Sequence, residues 1–189
     1  RPALSTYYDA ILDCGQRLLR GFASALRLPE NHFEAAYSKP LARGTAIWYP
    51  PQPPDDADQF GVSAHTDYGC ITILAQDSTG GLQVKNRAGE WIAAPPIADT
   101  FVINIGDLMA RWTNDLFVST PHRVVNASGR ERQSIATFYD PYFHTPIEVL
   151  PTCIEPGVPA AYPPTTCGEH IVGRFNRSFA YRSKEAAPV

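Results

Sequence analysis

His65 and Asp67 stand two positions apart in "AHTDYGCITILAQD". In an extended chain the side-chain period is two, so both would point to one face, where an imidazole and a carboxylate can share an ion. Alone the pair is a weak signal, equally readable as a surface histidine beside a solvated aspartate. A second histidine, His122 in "STPHRVVN", opens another predicted strand. Two histidines and one carboxylate, with the remaining positions open, suit non-haem Fe(II) and oxygen chemistry. Catalytic zinc accepts the same set, so these ligands by themselves do not choose the metal. Arg132 and Ser134 in "RQSIA" break the tie. Again two apart, they present a bidentate guanidinium fork and a hydroxyl donor on one strand face, which is a clamp for a carboxylate. Read alone, Arg132 would be a surface charge and Ser134 incidental. Beside the triad they call for a 2-oxo acid that chelates the metal while its far carboxylate sits in the clamp.

Several elements must position these residues. "LSTYYDAILDCGQRLLRGFASALRL" carries Leu4, Tyr8, Ile11, Leu12, Leu18, Leu19, Phe22 and Leu26 near the helical period. Pro29 closes this helix, and "ENHFEAAYS" reads as a second, short helix stopped by Pro40. From residue 42 the pattern changes. "ARGTAIWYP" is a strand ended by prolines, and an acidic, proline-rich loop then runs to Phe60. "GVSAH", "CITILAQ", "GLQVK", "EWIAA" and "TFVINIG" are short strands, with "NRAGE" a hairpin turn. "DLMARWT" is a short helical turn with Asp107 as its N-cap. "HRVVN" and "RQSIATFY" flank "ASGRE" as a second hairpin, and a last helix covers "GEHIVGRFNRSFAYR". Short strands at this density, without repeated crossover helices, favour a barrel or sandwich over a parallel α/β fold.

The bulk numbers agree with one domain carrying a small helical appendage: 189 residues allow a core without metal or disulfide staples. Eighteen residues are proline, well above the ordinary ~5% and suited to stiff loops between strands. A formal net charge of -3 with no basic block argues against nucleic acid or an anionic membrane as the main partner. Cys14, Cys70, Cys153 and Cys167 are widely spaced and fit no zinc pattern, so they read as thiols of a reducing, cytoplasmic compartment. No stretch reaches the ~20 apolar residues of a membrane span. The chain opens on "RPALSTYY" without a methionine.

"GTAIWYPPQP", "HTDYGCITILAQDSTGGLQVKNRAGEWI", "INIGDLMARWTND", "STPHRVVN" and "RQSIATFYDP" together resemble the Fe(II)/2-oxoglutarate-dependent dioxygenases. The nearest branch is the one containing isopenicillin N synthase and the plant flavonoid and gibberellin oxygenases. The family's His-x-Asp…His…Arg-x-Ser motif falls on His65, Asp67, His122, Arg132 and Ser134, with Arg132 ten residues after His122. The resemblance implies a mainly β fold, a double-stranded β-helix (jelly-roll) core with N-terminal and C-terminal helices. It divides the chain into a helical support region at 1–41, the oxygenase core at 42–150 and a C-terminal extension with a helix at 151–189. It places Leu74 near the co-substrate, and Tyr68, Phe138 and Tyr139 are candidates to line the cavity. Trp112 and Asn114 are candidates to shape the entrance.

The implied activity is oxidation of a small organic substrate, with Fe(II) as cofactor, 2-oxoglutarate and O2 as co-substrates, and succinate and carbon dioxide released. The implied protein is a monomer with a small hydrophobic or amphipathic substrate. Many relatives carry Asn-x-Tyr before the prolines, the tyrosine helping to hold 2-oxoglutarate. Matched to Ala46 and Trp48, these positions alter the co-substrate contacts, since an indole donates one hydrogen bond and accepts none. That departure keeps open a 2-oxoglutarate-independent oxidase of the isopenicillin N synthase kind. Relatives also carry further residues ahead of the opening helix, so the chain reads as a truncated form. This leaves a non-catalytic jelly-roll binding protein as another alternative.

Overall fold

The first helix forms because Ile11, Gly15, Leu19 and Ala23 fall on one stripe at a spacing of four, and that stripe is the buried face of α1 (Pro2–Ala25) in a computed structural model of the chain. The structure describes residues 2–51 and 60–178. The acidic, proline-rich loop expected before Phe60 and the end of the last predicted helix, from residue 179, lie outside the described residues.

α1 packs on the back of a four-stranded antiparallel sheet ordered β1-β8-β3-β6. Its strands are β1 (Leu41–Tyr49), β3 (Ile71–Gln76), β6 (Val102–Ile105) and β8 (Arg132–Asp140). Gly15 is a contact requirement, because a Cβ there would meet the Tyr139 ring at 2.6 Å. Gln16 Nε2 donates to the Tyr139 hydroxyl at 2.8 Å, and the Tyr8 hydroxyl donates to the Ala42 carbonyl at 3.0 Å.

A second antiparallel sheet, ordered β2-β7-β4-β5, comprises β2 (Val62–His65), β4 (Leu82–Lys85), β5 (Trp91–Ala93) and β7 (His122–Val124). Tyr49, Leu82 and Val124 join the two sheets in a small apolar cluster. This is the double-stranded β-helix expected from the family resemblance, flanked by α1 and by α3 (Cys167–Ser178). The short helix α2 (Asp107–Trp112), a two-strand ladder of β9 (Pro146–Ile147) with β10 (Thr165–Thr166) and a single 3-10 turn at Pro151–Cys153 complete the described elements.

Two expectations about local structure change. "ENHFEAAYS" forms successive turns: His32, Glu34 and Ser38 N–H groups bond three residues back, between Pro29 and Pro40. Phe33 and Tyr37 are still buried at a spacing of four, so the apolar periodicity is genuine although no α-helix forms. The "ASGRE" connection is no hairpin either. β7 pairs with β2 and β4, whereas β8 pairs with β1 and β3, so the chain crosses from one sheet to the other. Asn126 holds this crossing by donating to the carbonyls of Pro50 and Arg130 at 3.0 and 2.8 Å.

Asp140, at the end of β8, is a buried carboxylate whose Oδ1 accepts the Cys70 N–H at 2.5 Å. Burial pushes its carboxyl up to about 7. A raised folded-state pKa means that its contribution is fully present below the unfolded carboxylate value of ~3.9 and is lost as pH rises through about 7. Denaturant titrations of the metal-free chain should show this loss of stability between those limits, and Asp140→Asn should reduce it. An unchanged pH profile in Asp140→Asn would remove the assignment.

Candidate metal centre

His65 ends β2 and His122 begins β7, and the two are paired in register across the second sheet. Their rings lie 4.3 Å apart between centroids. Asp67 arrives from the loop after β2 rather than from the strand itself. Its Oδ1 stands 3.9 Å from His65 Nε2 and 3.8 Å from His122 Nε2. One ligand atom from each of the three lies within 4.8 Å of the others, so a single ion can be held between them.

The hydrogen bonds behind these residues fix which atoms face the centre. His65 Nδ1 lies 2.8 Å from the Ser63 carbonyl and His122 Nδ1 lies 3.1 Å from the Thr120 carbonyl. A carbonyl can only accept, so each Nδ1 carries the proton and each Nε2 lone pair is left for a metal. Asp67 is 6% exposed. Its Oδ2 accepts from Thr72 Oγ1 at 2.7 Å and from Asn104 Nδ2 at 2.6 Å, which leaves Oδ1 for the centre.

The Asp67 loop is clasped from below. Asp107 N–H donates to the Asp67 carbonyl at 2.7 Å, Leu108 N–H to Gly69 and Gly106 N–H to Cys70. Such proximity requires glycine, since a Cβ at Gly106 would stand 2.2 Å from the Gly69 oxygen. Asp107 is therefore not the N-cap of α2. Gly106 holds that position, while the Asp107 carboxylate pairs with Arg174 at 2.5 Å and accepts from Thr66 Oγ1 at 3.2 Å.

Between the sheets lies an inner chamber of about 120 Å³. It runs from the triad to Arg132 and Ser134, walled by Leu74, Leu82, Val102 and Val124. Leu74 thus faces the space between triad and clamp. Arg132 is 0% exposed; its Nε donates to the Gly80 carbonyl at 2.7 Å and one Nη to Gln76 Oε1 at 3.1 Å. The other Nη and the Ser134 hydroxyl have no hydrogen-bond partner among the described residues. Asp77 feels the Arg132 charge but forms no ion pair with it; a buried cation so incompletely compensated is costly, so these two donors make a site shaped for an anion. A guanidinium edge beside a hydroxyl has the donor pattern that a carboxylate accepts.

Trp48 does not belong to this chamber. It is 60% exposed, and its indole N–H donates to Glu131 at 3.0 Å on the outside of the barrel. Ala46 shares that outer face, whereas Ile47 and Tyr49 point inward. A one-residue offset reverses the face of every side chain in a strand, so the match of Ala46 and Trp48 to the family's Asn-x-Tyr is displaced by one. Tyr49 is 5% exposed, and the Arg132 guanidinium lies over its ring at 4.7 Å.

A second, outer chamber of about 410 Å³ opens on the other side of the triad. Leu41, Arg43, Tyr68, Asp140, Ile171 and Phe175 line it, and it shares His65, Asp67 and Phe138 with the inner one. Tyr68 and Phe138 thus line a cavity, whereas Tyr139 packs beneath α1 against Tyr37. Trp112 and Asn114 do not form the entrance. Trp112 stacks edge-on to Phe33 in the core, and Asn114 bonds to the backbone of Cys153 and Ala161. His170 meets the Tyr68 carbonyl at 3.1 Å, a structural role. Sequence reasoning missed Thr72 and Asn104, whose signal is a polar residue on the inward side of the otherwise apolar "ITIL" and "VINI".

The model of the 2OG-Fe(II) oxygenase superfamily matches residues 29–141. A 2-oxoglutarate-Fe(II) type oxidoreductase of Metarhizium rileyi is 40% identical over 97% of this chain and 51% of its own length. A homoarginine-6-hydroxylase of Oryza sativa subsp. japonica is 38% identical over 93% of this chain and 56% of its own. The crystal structure of a full-length Neurospora crassa protein in complex with alpha-KG superposes with a TM-score of 0.89 at 32% identity, covering 93% of this chain and 56% of that one. The chain spans about half the length of the curated relatives it matches.

Orientation of Asp67 by Thr72 and Asn104 carries a measurable consequence. Thr72→Val and Asn104→Leu should each weaken Fe(II) binding by ~10–100-fold while the fold persists. Asp67→Ala should abolish tight binding. Metal titration followed by calorimetry checks this, and native affinity in both orienting variants would refute the role given to those hydrogen bonds.

Proposed function

The chain belongs to the 2OG-Fe(II) oxygenase superfamily, and from that premise we propose that it is the core of an oxidoreductase that uses O2 and 2-oxoglutarate to hydroxylate or otherwise oxidise a small organic molecule, releasing succinate and carbon dioxide. One observation carries the reading: a triad of two imidazoles and a carboxylate faces the same chamber as a buried arginine with an unused donor.

In this reading His65 Nε2, His122 Nε2 and Asp67 Oδ1 hold Fe(II), which when bound supplies activation of O2 coupled to oxidation of the 2-oxo acid. Arg132 and Ser134 bind the far carboxylate of 2-oxoglutarate through charge-assisted hydrogen bonds. Tyr49 packs its ring under the guanidinium and so helps to hold the fork in place in the chamber. Leu74, Leu82, Val102 and Val124 exclude water, which strengthens those polar contacts and protects the oxidising step from side reactions. The organic substrate meets the triad from the outer chamber.

Residues 42–150 form the catalytic unit of this proposal, with 1–41 as its support and 151–189 as an extension. α1 packing on the sheet favours that division. The net charge of -3 favours a small molecule over nucleic acid as the partner, with the chain acting as a monomer away from membranes. The four free cysteines favour the cytoplasm; no helix among the described residues is long and apolar enough to cross a membrane. The oxidase alternative drew its support from Trp48 inside the site, and Trp48 is outside.

Anaerobic addition of Fe(II) and 2-oxoglutarate should produce a visible iron-to-keto-acid charge-transfer band. Arg132→Met should weaken 2-oxoglutarate binding on the order of 10–100-fold and leave Fe(II) affinity unchanged. Fe(II) binding without the band, or turnover without succinate, would overturn the co-substrate assignment in favour of a 2-oxoglutarate-independent oxidase.

A further inference from the structure

Among the described residues that line the outer chamber, Arg43 is a cation that the site described so far leaves unused. Arg43 projects from β1 opposite its cross-strand partner Phe138. Its guanidinium carbon lies 4.7 Å over the Phe138 ring and 6.0 Å over that of Phe175 on α3. No carboxylate among the described residues lies within ion-pair distance of it. Asp140, also in the chamber, feels the Arg43 charge but is buried and turns Oδ1 to the Cys70 N–H. A guanidinium stacked on an aromatic face keeps its N–H edge available, and that edge matches a planar carboxylate with two parallel hydrogen bonds.

The remaining lining favours an apolar body. Leu41, Tyr68, Phe138, Ile171 and Phe175 surround the space between Arg43 and the triad. Tyr68 is fixed at its far side by a hydrogen bond from its hydroxyl to Ser178 Oγ at 2.5 Å. About 410 Å³ lies within the usual range for a small-molecule pocket of ~300–1,000 Å³. Phe138 belongs to both chambers, so a ligand anchored on Arg43 and lying along this ring brings its other end to His65 and Asp67. One guanidinium edge offers two parallel N–H donors, which a planar carboxylate satisfies in full and a tetrahedral phosphate does not.

We propose that the organic substrate is a small monocarboxylic acid with a flat, apolar body, and that Arg43 selects it by binding its carboxylate, a role separate from that of Arg132 toward 2-oxoglutarate. This rests on the two-chamber reading of the function. Arg132 takes the co-substrate from inside the barrel; Arg43 takes the substrate at its mouth.

The test is calorimetric titration of the chain loaded with Zn(II), a redox-inert stand-in, and saturated with 2-oxoglutarate. The probes are phenylacetate, 3-phenylpropanoate and 4-phenylbutanoate, each against its primary amide. At least one acid should bind on the order of tenfold or more tightly than its amide. Arg43→Gln should erase that preference while 2-oxoglutarate affinity and thermal midpoint stay as in the native chain. Acids and amides binding alike, no acid binding, or a preference that survives Arg43→Gln would each overturn the inference. Failure of 2-oxoglutarate itself to bind would instead overturn the function on which it rests.

Discussion

Two hydrogen bonds to a single oxygen organise the centre. Thr72 on β3 and Asn104 on β6 both donate to Asp67 Oδ2, and both belong to the first sheet, whereas the histidines belong to the second. The carboxylate is thereby tied to one sheet and offered to a pair of ligands on the other. Because Oδ2 is already committed, Oδ1 faces the imidazoles, and no rearrangement of the buried carboxylate is needed on binding. The loop that delivers it is constrained just as tightly by the start of α2, where Gly106 and Gly69 approach too closely for any side chain between them.

A second constraint is the charge of Arg132. Its guanidinium is wholly buried, stacked on Tyr49 and bonded to Gly80 and Gln76, yet no described carboxylate lies within ion-pair distance of it. A protein interior tolerates such a charge only with strong local compensation. Here the compensation from the fold is partial, and the unfilled donors lie along the path to the triad. Stability and binding are therefore linked: an anion that completes the arginine's hydrogen bonds stabilises the folded chain while taking the position from which it can reach the metal.

The triad separates two environments with different polarity at their ends. Inward, the wall is aliphatic and ends in a buried fork; outward, it is largely aromatic and ends in a guanidinium stacked on a ring at the mouth. Phe138 belongs to both. Alternation along β8 makes this possible with one strand, since Arg132, Ser134, Ala136, Phe138 and Asp140 all point inward while Ile135, Thr137 and Tyr139 turn to the opposite face, the side of α1.

The sequence by itself determined whatever depends on residue type and short spacing. His65, Asp67, His122, Arg132 and Ser134 could be named together because their chemistry is specific and the last two keep a strand period. The eight strands of the two four-stranded sheets, their order along the chain and α1 followed from apolar periodicity, whereas the two-residue β9 and β10 are too short to show one. Tertiary structure decided what periodicity leaves degenerate. The face of β1 that turns inward depends on a one-residue register, so Trp48 and Tyr49 exchanged roles once β1 was paired with β8. The "ASGRE" turn could close a hairpin or cross between sheets, because both need the same turn residues, and only the partners of β7 and β8 distinguish them. Thr72, Asn104 and Arg43 gained meaning last. Their roles rest on how separate strands come together, and no local pattern encodes a contact that exists only after the sheets have closed on one another.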